Sequence, residues 1–98
     1  MTVRKKIEDG TMTVYPEGRL DTLTAPELEN ELSDSLGGVS SLVFDMSGLE
    51  YISSAGLRVL LYAGKKLGGS EKITVTNLNE TVSEIFEITG FSDIVKVK

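Results

Sequence analysis

Cysteine and histidine are both missing from this 98-residue chain, and each absence closes off chemistry. Without cysteine there is no disulfide framework and no thiolate nucleophile, a composition at ease in the cytosol. Without histidine, the most frequent general base near neutral pH is gone, and with both types absent so are the usual zinc ligands. No metal and no cofactor is implied, and enzyme readings start at a disadvantage. An excess of positive charge is lacking too. Fifteen acidic against ten basic residues leave a net charge of −5, which repels a phosphate backbone, so nucleic acid is not an expected partner. Nor does the first segment hold an apolar run. Met1 to Gly10 carries Arg4, Lys5, Lys6, Glu8 and Asp9, unlike a signal peptide or membrane anchor, so a soluble, cytoplasmic protein without membrane contact is expected.

What is present is enough for one folded unit. Ninety-eight residues with 40% hydrophobic content can close a single core, so residues 1–98 are expected to form one domain. Asp9-Gly10 stands between two segments of alternating character and predicts an antiparallel hairpin, about residues 3–8 and 11–16, with Pro16 marking a strand end or an edge. Thr24-Ala25-Pro26-Glu27 fits a capping box with proline in the first turn, opening a helix over about 25–36. Leu28, Leu32 and Leu36 share one face of it, and Gly37-Gly38 stops it.

Leu42-Val43-Phe44 is an apolar run bounded by polar residues, the pattern of a strand covered on both faces at the centre of a sheet. A second helix over about 54–67 is apolar nearly all round in its first half, from Leu57 through Val59, Leu60, Leu61, Tyr62 and Ala63. It is either deeply buried or partly turned to a partner. Lys72 to Thr76 reads as another strand. Asn79 caps a third helix running to about Thr89, with Val82, Ile85 and Phe86 inward, and Ile94 to Val97 adds a short edge strand. The order β-β-α-β-α-β-α-β predicts an α/β fold, its mixed sheet mostly parallel with the N-terminal hairpin as the antiparallel part.

The chemistry concentrates between Asp45 and Leu61, where a buried strand passes through a short loop into a helix opened by Ser53 and Ser54. Unpaired N–H groups at a helix start allow a hydroxyl there to cap the helix, or to carry a phosphate that the dipole tolerates. Two rival motifs fail. A serine hydrolase elbow needs glycine where Ile52 stands and a base that the chain does not have. A phosphate-binding loop around Gly64-Lys65 is broken by Val59 and Lys66.

The run Asp45-Met46-Ser47-Gly48-Leu49-Glu50-Tyr51-Ile52-Ser53-Ser54-Ala55-Gly56-Leu57 resembles the signature of STAS domains, specifically of bacterial anti-sigma factor antagonists. Gly18-Arg19-Leu20-Asp21-Thr22-Leu23-Thr24-Ala25 is similar to the segment before that family's first helix, and the likeness spans nearly the whole chain. It implies a STAS-like fold and a protein switch. The unmodified antagonist binds an anti-sigma factor that is also a serine kinase and frees the sigma factor. Phosphorylation reverses this, and a serine phosphatase restores the active form. The acceptor two places before the motif glycine corresponds to Ser54. Many relatives carry Asp before and Ser after it, where this chain has Ser53 and Ala55, so Ser53 is the alternative acceptor.

The docking face expected from this resemblance comprises Asp21, Thr22, Ser53, Ser54, Ala55, Gly56, Leu57 and Arg58. Several of these residues carry a second, structural reading. Ser53 suits a helix cap, Asp21 a turn, Gly56 close packing of helix on sheet, and Arg58 a plain exposed position. The chain is expected to be a monomer or weak dimer. The runner-up function is a nucleotide-sensing module, or a regulatory subunit docking on a transporter or sensory complex.

Overall fold

Asp9 and Gly10 both take positive φ, 49° and 80°, and so form the tight turn that joins β1 (Thr2–Glu8) to β2 (Thr11–Leu20). The computed structural model describes residues 1–98. After the hairpin come α1 (Ala25–Ser33), β3 (Ser41–Asp45), β4 (Leu49–Ile52), α2 (Ser54–Leu67), β5 (Ile73–Thr76), α3 (Glu80–Ile88) and β6 (Lys96–Val97), with 3-10 turns at Ser70–Lys72 and Phe91–Asp93. The main sheet runs β1-β2-β3-β5-β6, antiparallel between β1 and β2 and parallel elsewhere, with β3 at its centre. The α/β class and the mixed, mostly parallel sheet match the expectation from the sequence.

Register decides where the core lies. Met12, Leu42 and Ile73 stand in one row and Val14, Phe44 and Val75 in the next, all fully buried. Leu28 and Leu32 of α1, Leu57, Leu60 and Ala63 of α2, and Val82 and Phe86 of α3 join the same cluster. The intervening row of Thr13, Val43 and Thr74 is only half-buried, so β3 is covered fully on one face rather than on both. Lys5 reaches from the edge strand to α1, pairing with Glu31 at 2.6 Å and donating to Ser35 Oγ at 2.8 Å. No helix is long and apolar enough to cross a membrane.

Four local expectations are corrected. β2 continues past Pro16 to Leu20, because β2 pairs with β3 only through Val14 and with β4 only from Gly18. Proline's missing donor falls between those two ladders and breaks neither. α1 ends at Ser33, not near residue 36: Ser33 Oγ donates to Asn30 O and Ser35 Oγ to Glu31 O, bonds that compete with the helical ladder. The last strand shortens to Lys96–Val97, as Phe91–Asp93 turns and Ile94 remains in a helical conformation. Finally, β4 is an additional strand, parallel to the far end of β2 with a register shift at Gly18/Arg19. The added strand leads directly into Ser53.

Candidate functional site

Leu20 joins the two loops that the motifs singled out. As the last residue of β2 it pairs with Ile52, its carbonyl accepts from Ser53 N at 2.9 Å, and its side chain lies beneath Gly56. Asp21 follows at once. Its Oδ1 accepts from Leu23 N at 3.0 Å and Thr24 N at 3.2 Å, while its carbonyl accepts from Ala25 N at 2.8 Å. Donation from the Thr24 and Leu23 backbone holds the Asp21 carboxyl below its ordinary pKa, against a smaller opposing effect of desolvation.

The capping box does not form. Thr24 is already helical in φ and ψ, −95° and −19°, so its hydroxyl turns back, donating to Arg19 O at 2.7 Å and accepting from Asp21 N at 2.9 Å. Asp21 ties this turn together instead.

Across from it, Ser53 occupies the N-cap position of α2 with extended backbone, φ −102° and ψ 176°, yet its side chain accepts nothing. The Oγ is sealed from solvent without a hydrogen-bond partner. Ser54, the first helical residue, is exposed. Ala55 is half-buried, and Arg58, one turn further, is exposed. A shallow groove of about 250 Å³ between α1 and α2 is lined by Thr22, Ala25, Pro26, Ala55, Arg58 and others, so the Asp21 loop and the start of α2 do share one surface. Gly56 and Leu57, expected on that face, lie inside it. Gly56 is buried, Leu57 is 6% exposed, and both seat the helix on the sheet.

Two side chains outside the expected docking face, Asp45 at the start of the motif and the Asn79 cap, hold the site from behind. Asp45 Oδ1 accepts from Ser47 N at 3.0 Å and from Asn77 Nδ2 at 3.1 Å, tying the loop after β3 to the end of β5. Donation from the Ser47 backbone keeps its carboxyl below the ordinary value, opposed by desolvation. Asn79 caps α3 by accepting from Val82 N at 2.8 Å, and its amide donates to Leu49 O at 3.0 Å. One side chain thus anchors both α3 and β4, the strand that delivers Ser53. The cap was legible from the sequence and the anchoring was not, because Leu49 lies thirty residues away.

Asn79→Ala is therefore expected to cost about 1.5–2.5 kcal/mol, a cap of about 1 kcal/mol plus a second hydrogen bond of about 0.5–1.5 kcal/mol, read by urea unfolding. Asn79→Asp keeps the cap acceptor and loses the amide's donation to β4, to Leu49 O at 3.0 Å and more weakly to Glu50 O at 3.3 Å. An aspartate variant as unstable as the alanine one would show that the tie to β4 carries most of the effect.

A family model described as STAS domain matches residues 2–98. The chain belongs to the STAS-domain family. Among STAS-domain relatives it is 37% identical over 91 residues to BtrV of Bordetella bronchiseptica, named as an anti-sigma factor antagonist, covering 91% of this chain and 78% of that one. It is 26% identical over 99 residues to the anti-sigma-B factor antagonist of Staphylococcus aureus, covering 99% and 92%. The crystal structure of an anti-sigma factor antagonist from Mycobacterium paratuberculosis superposes with a TM-score of 0.86 at 27% identity, covering 98% of this chain and 83% of that one. The STAS domain described here thus shares both sequence and architecture with proteins of that regulatory class.

Proposed function

We propose that this STAS domain is an anti-sigma factor antagonist, and that phosphorylation of Ser54 controls its docking. The unmodified form binds an anti-sigma factor that is also a serine kinase, a serine phosphatase reverses the modification, and the docking face runs from Asp21 and Thr22 across Ser53, Ser54 and Ala55 to Arg58. Similarity to named antagonists along almost the full chain supports the first part.

The observation that carries the second part is the opposite environment of the two adjacent hydroxyls. Ser54 is exposed at the open end of α2, whereas Ser53 Oγ is sealed from solvent. A kinase must bring the acceptor oxygen in line with a nucleotide phosphate, which a covered oxygen does not permit. A phosphate on Ser54 adds about −1.5 to −2 charge where partner and protein meet, and repulsion and desolvation then oppose docking.

The test is incubation with the anti-sigma factor kinase of the same genome and ATP, followed by mass spectrometry of the peptide spanning both serines. One phosphate on Ser54 is expected, lost in Ser54→Ala and retained in Ser53→Ala. Label that persists in Ser54→Ala would overturn the assignment.

A further inference from the structure

α2 carries Arg58, Lys65 and Lys66 and no acidic residue, in a chain whose net charge is −5. None of the three enters an ion pair, although Arg4, Lys5 and Lys6 on the edge strand all do. At 100° per residue, Ser54, Arg58, Leu61, Tyr62 and Lys65 fall within one stripe of the helix. Arg58 and Lys65 stand roughly 10 Å apart along the axis at about 1.5 Å per residue. Between them Leu61 and Tyr62 are half-buried, while Leu57, Val59, Leu60 and Ala63 turn into the core. These four stripe residues from Arg58 to Lys65, with Ser70, line a cleft of about 380 Å³.

We infer that this stripe is a docking strip for an acidic amphipathic helix of the partner. Its apolar side chains lie on Leu61 and Tyr62, and its carboxylates meet Arg58 at one end and Lys65 at the other. Charge complementarity selects that occupant: a basic or neutral helix would leave unpaired cations at both ends of an apolar floor. The inference rests on the antagonist reading for the role of Ser54, which stands at the head of the same stripe. A phosphate there repels the acidic helix, and Arg58 at the i+4 position is placed to pair with that phosphate and be withdrawn from the partner.

The test uses the full chain and a labelled synthetic helix of about 15 residues, enough for about four turns. Its leucines and phenylalanines sit at helical spacing between glutamates, and a control peptide carries lysine for every glutamate. By fluorescence anisotropy the acidic peptide is expected to bind at least about tenfold tighter than the control, with the gap shrinking as salt rises from about 0.05 to about 0.5 M. Arg58→Glu and Lys65→Glu, each at an exposed position, should weaken it by about tenfold or more, with circular dichroism melts confirming that both variants fold.

Equal binding of the two peptides, or undiminished binding by both variants, would overturn the strip. The same variants are then tested on the anti-sigma factor kinase. If phosphorylation releases the kinase while both variants still hold it, the strip falls and the switch stands. If both variants lose peptide and kinase while phosphorylation affects neither, the strip stands and the switch falls.

Discussion

Ser54→Asp is expected to weaken docking on the anti-sigma factor by at least about tenfold, a loss of about 1.4 kcal/mol, while Ser54→Ala stays within about twofold of the unchanged chain. The asymmetry follows from charge rather than from shape. Alanine removes a hydroxyl from an exposed position, where substitutions typically shift stability by less than about 0.5 kcal/mol. Aspartate puts one negative charge at the start of a helix whose first turn has none. Phosphoserine, with about −1.5 to −2 charge, should act more strongly than aspartate.

The same carboxylate should have the opposite effect on the fold. Near an α-helix N-terminus an anion interacts favourably with the aligned peptide dipoles by about 0.3–1 kcal/mol. For a domain of this size that corresponds to a rise in Tm of roughly 1–8 °C. Kd and Tm measured on one preparation therefore move in directions that an unfolding artefact cannot mimic: weaker docking by a more stable protein. Ser54→Asp that docks as tightly as the unchanged chain would sink the gate. Ser54→Asp with a lowered Tm would trace any lost docking to the fold instead.

The elements that carry long periodic patterns were legible in the sequence. α2 occupies the expected span because its apolar residues, its serine start and the left-handed Gly68 at its end agree with one another. β4 was not legible. Leu49 and Ile52 are both buried although they are three residues apart, so the segment lacks the period of two that marks a half-buried strand. Its pairing with β2 depends on the irregularity at Gly18/Arg19, a property of two strands meeting and of neither sequence alone. Arg19, over the Tyr51 ring at 4.5 Å, adds a contact across that irregular pair.

For the candidate site, the motif located the two serines, but their unlike exposure comes from tertiary packing. Ser53 follows a strand whose last residue is fully buried, and its hydroxyl is covered with it. The Thr24 box failed for a related reason. The pattern has the right residues at the right spacing, yet the strong acceptor Asp21 sits three residues earlier and captures the turn first. Local pattern reading weighs each cap alone, whereas the folded chain lets neighbouring acceptors compete.

Gly56→Ala should destabilise the protein by about 1–2 kcal/mol, reversing the sign usual for such a change inside a helix. Alanine is ordinarily favoured over glycine there by about 0.8–1 kcal/mol. At this position the new Cβ would lie 2.7 Å from Leu20 Cγ and 2.7 Å from Ile52 Cγ1. Both neighbours are fully buried side chains on paired strands, so neither can swing into solvent, and overpacking of this kind typically costs about 1–3 kcal/mol. The helix must lift, and Ser54 moves with it relative to the Asp21 turn. Docking should therefore fall along with stability.

Leu20→Ala separates crowding from any other defect. Alone it opens a cavity and costs about 2–5 kcal/mol. In that background the Leu20 side of the crowding is gone while Ile52 Cγ1 still lies 2.7 Å from the new Cβ, so adding Gly56→Ala costs less than it does alone. Urea unfolding of the four proteins should then give a coupling of at least about 0.5 kcal/mol in favour of the double variant. Additive losses would show that position 56 does not set the seat of α2, and the geometry that holds Ser54 beside Asp21 would need another explanation. A favourable coupling ties the exposed serine to the contact that positions it: a helix glycine lying directly on the last side chain of β2.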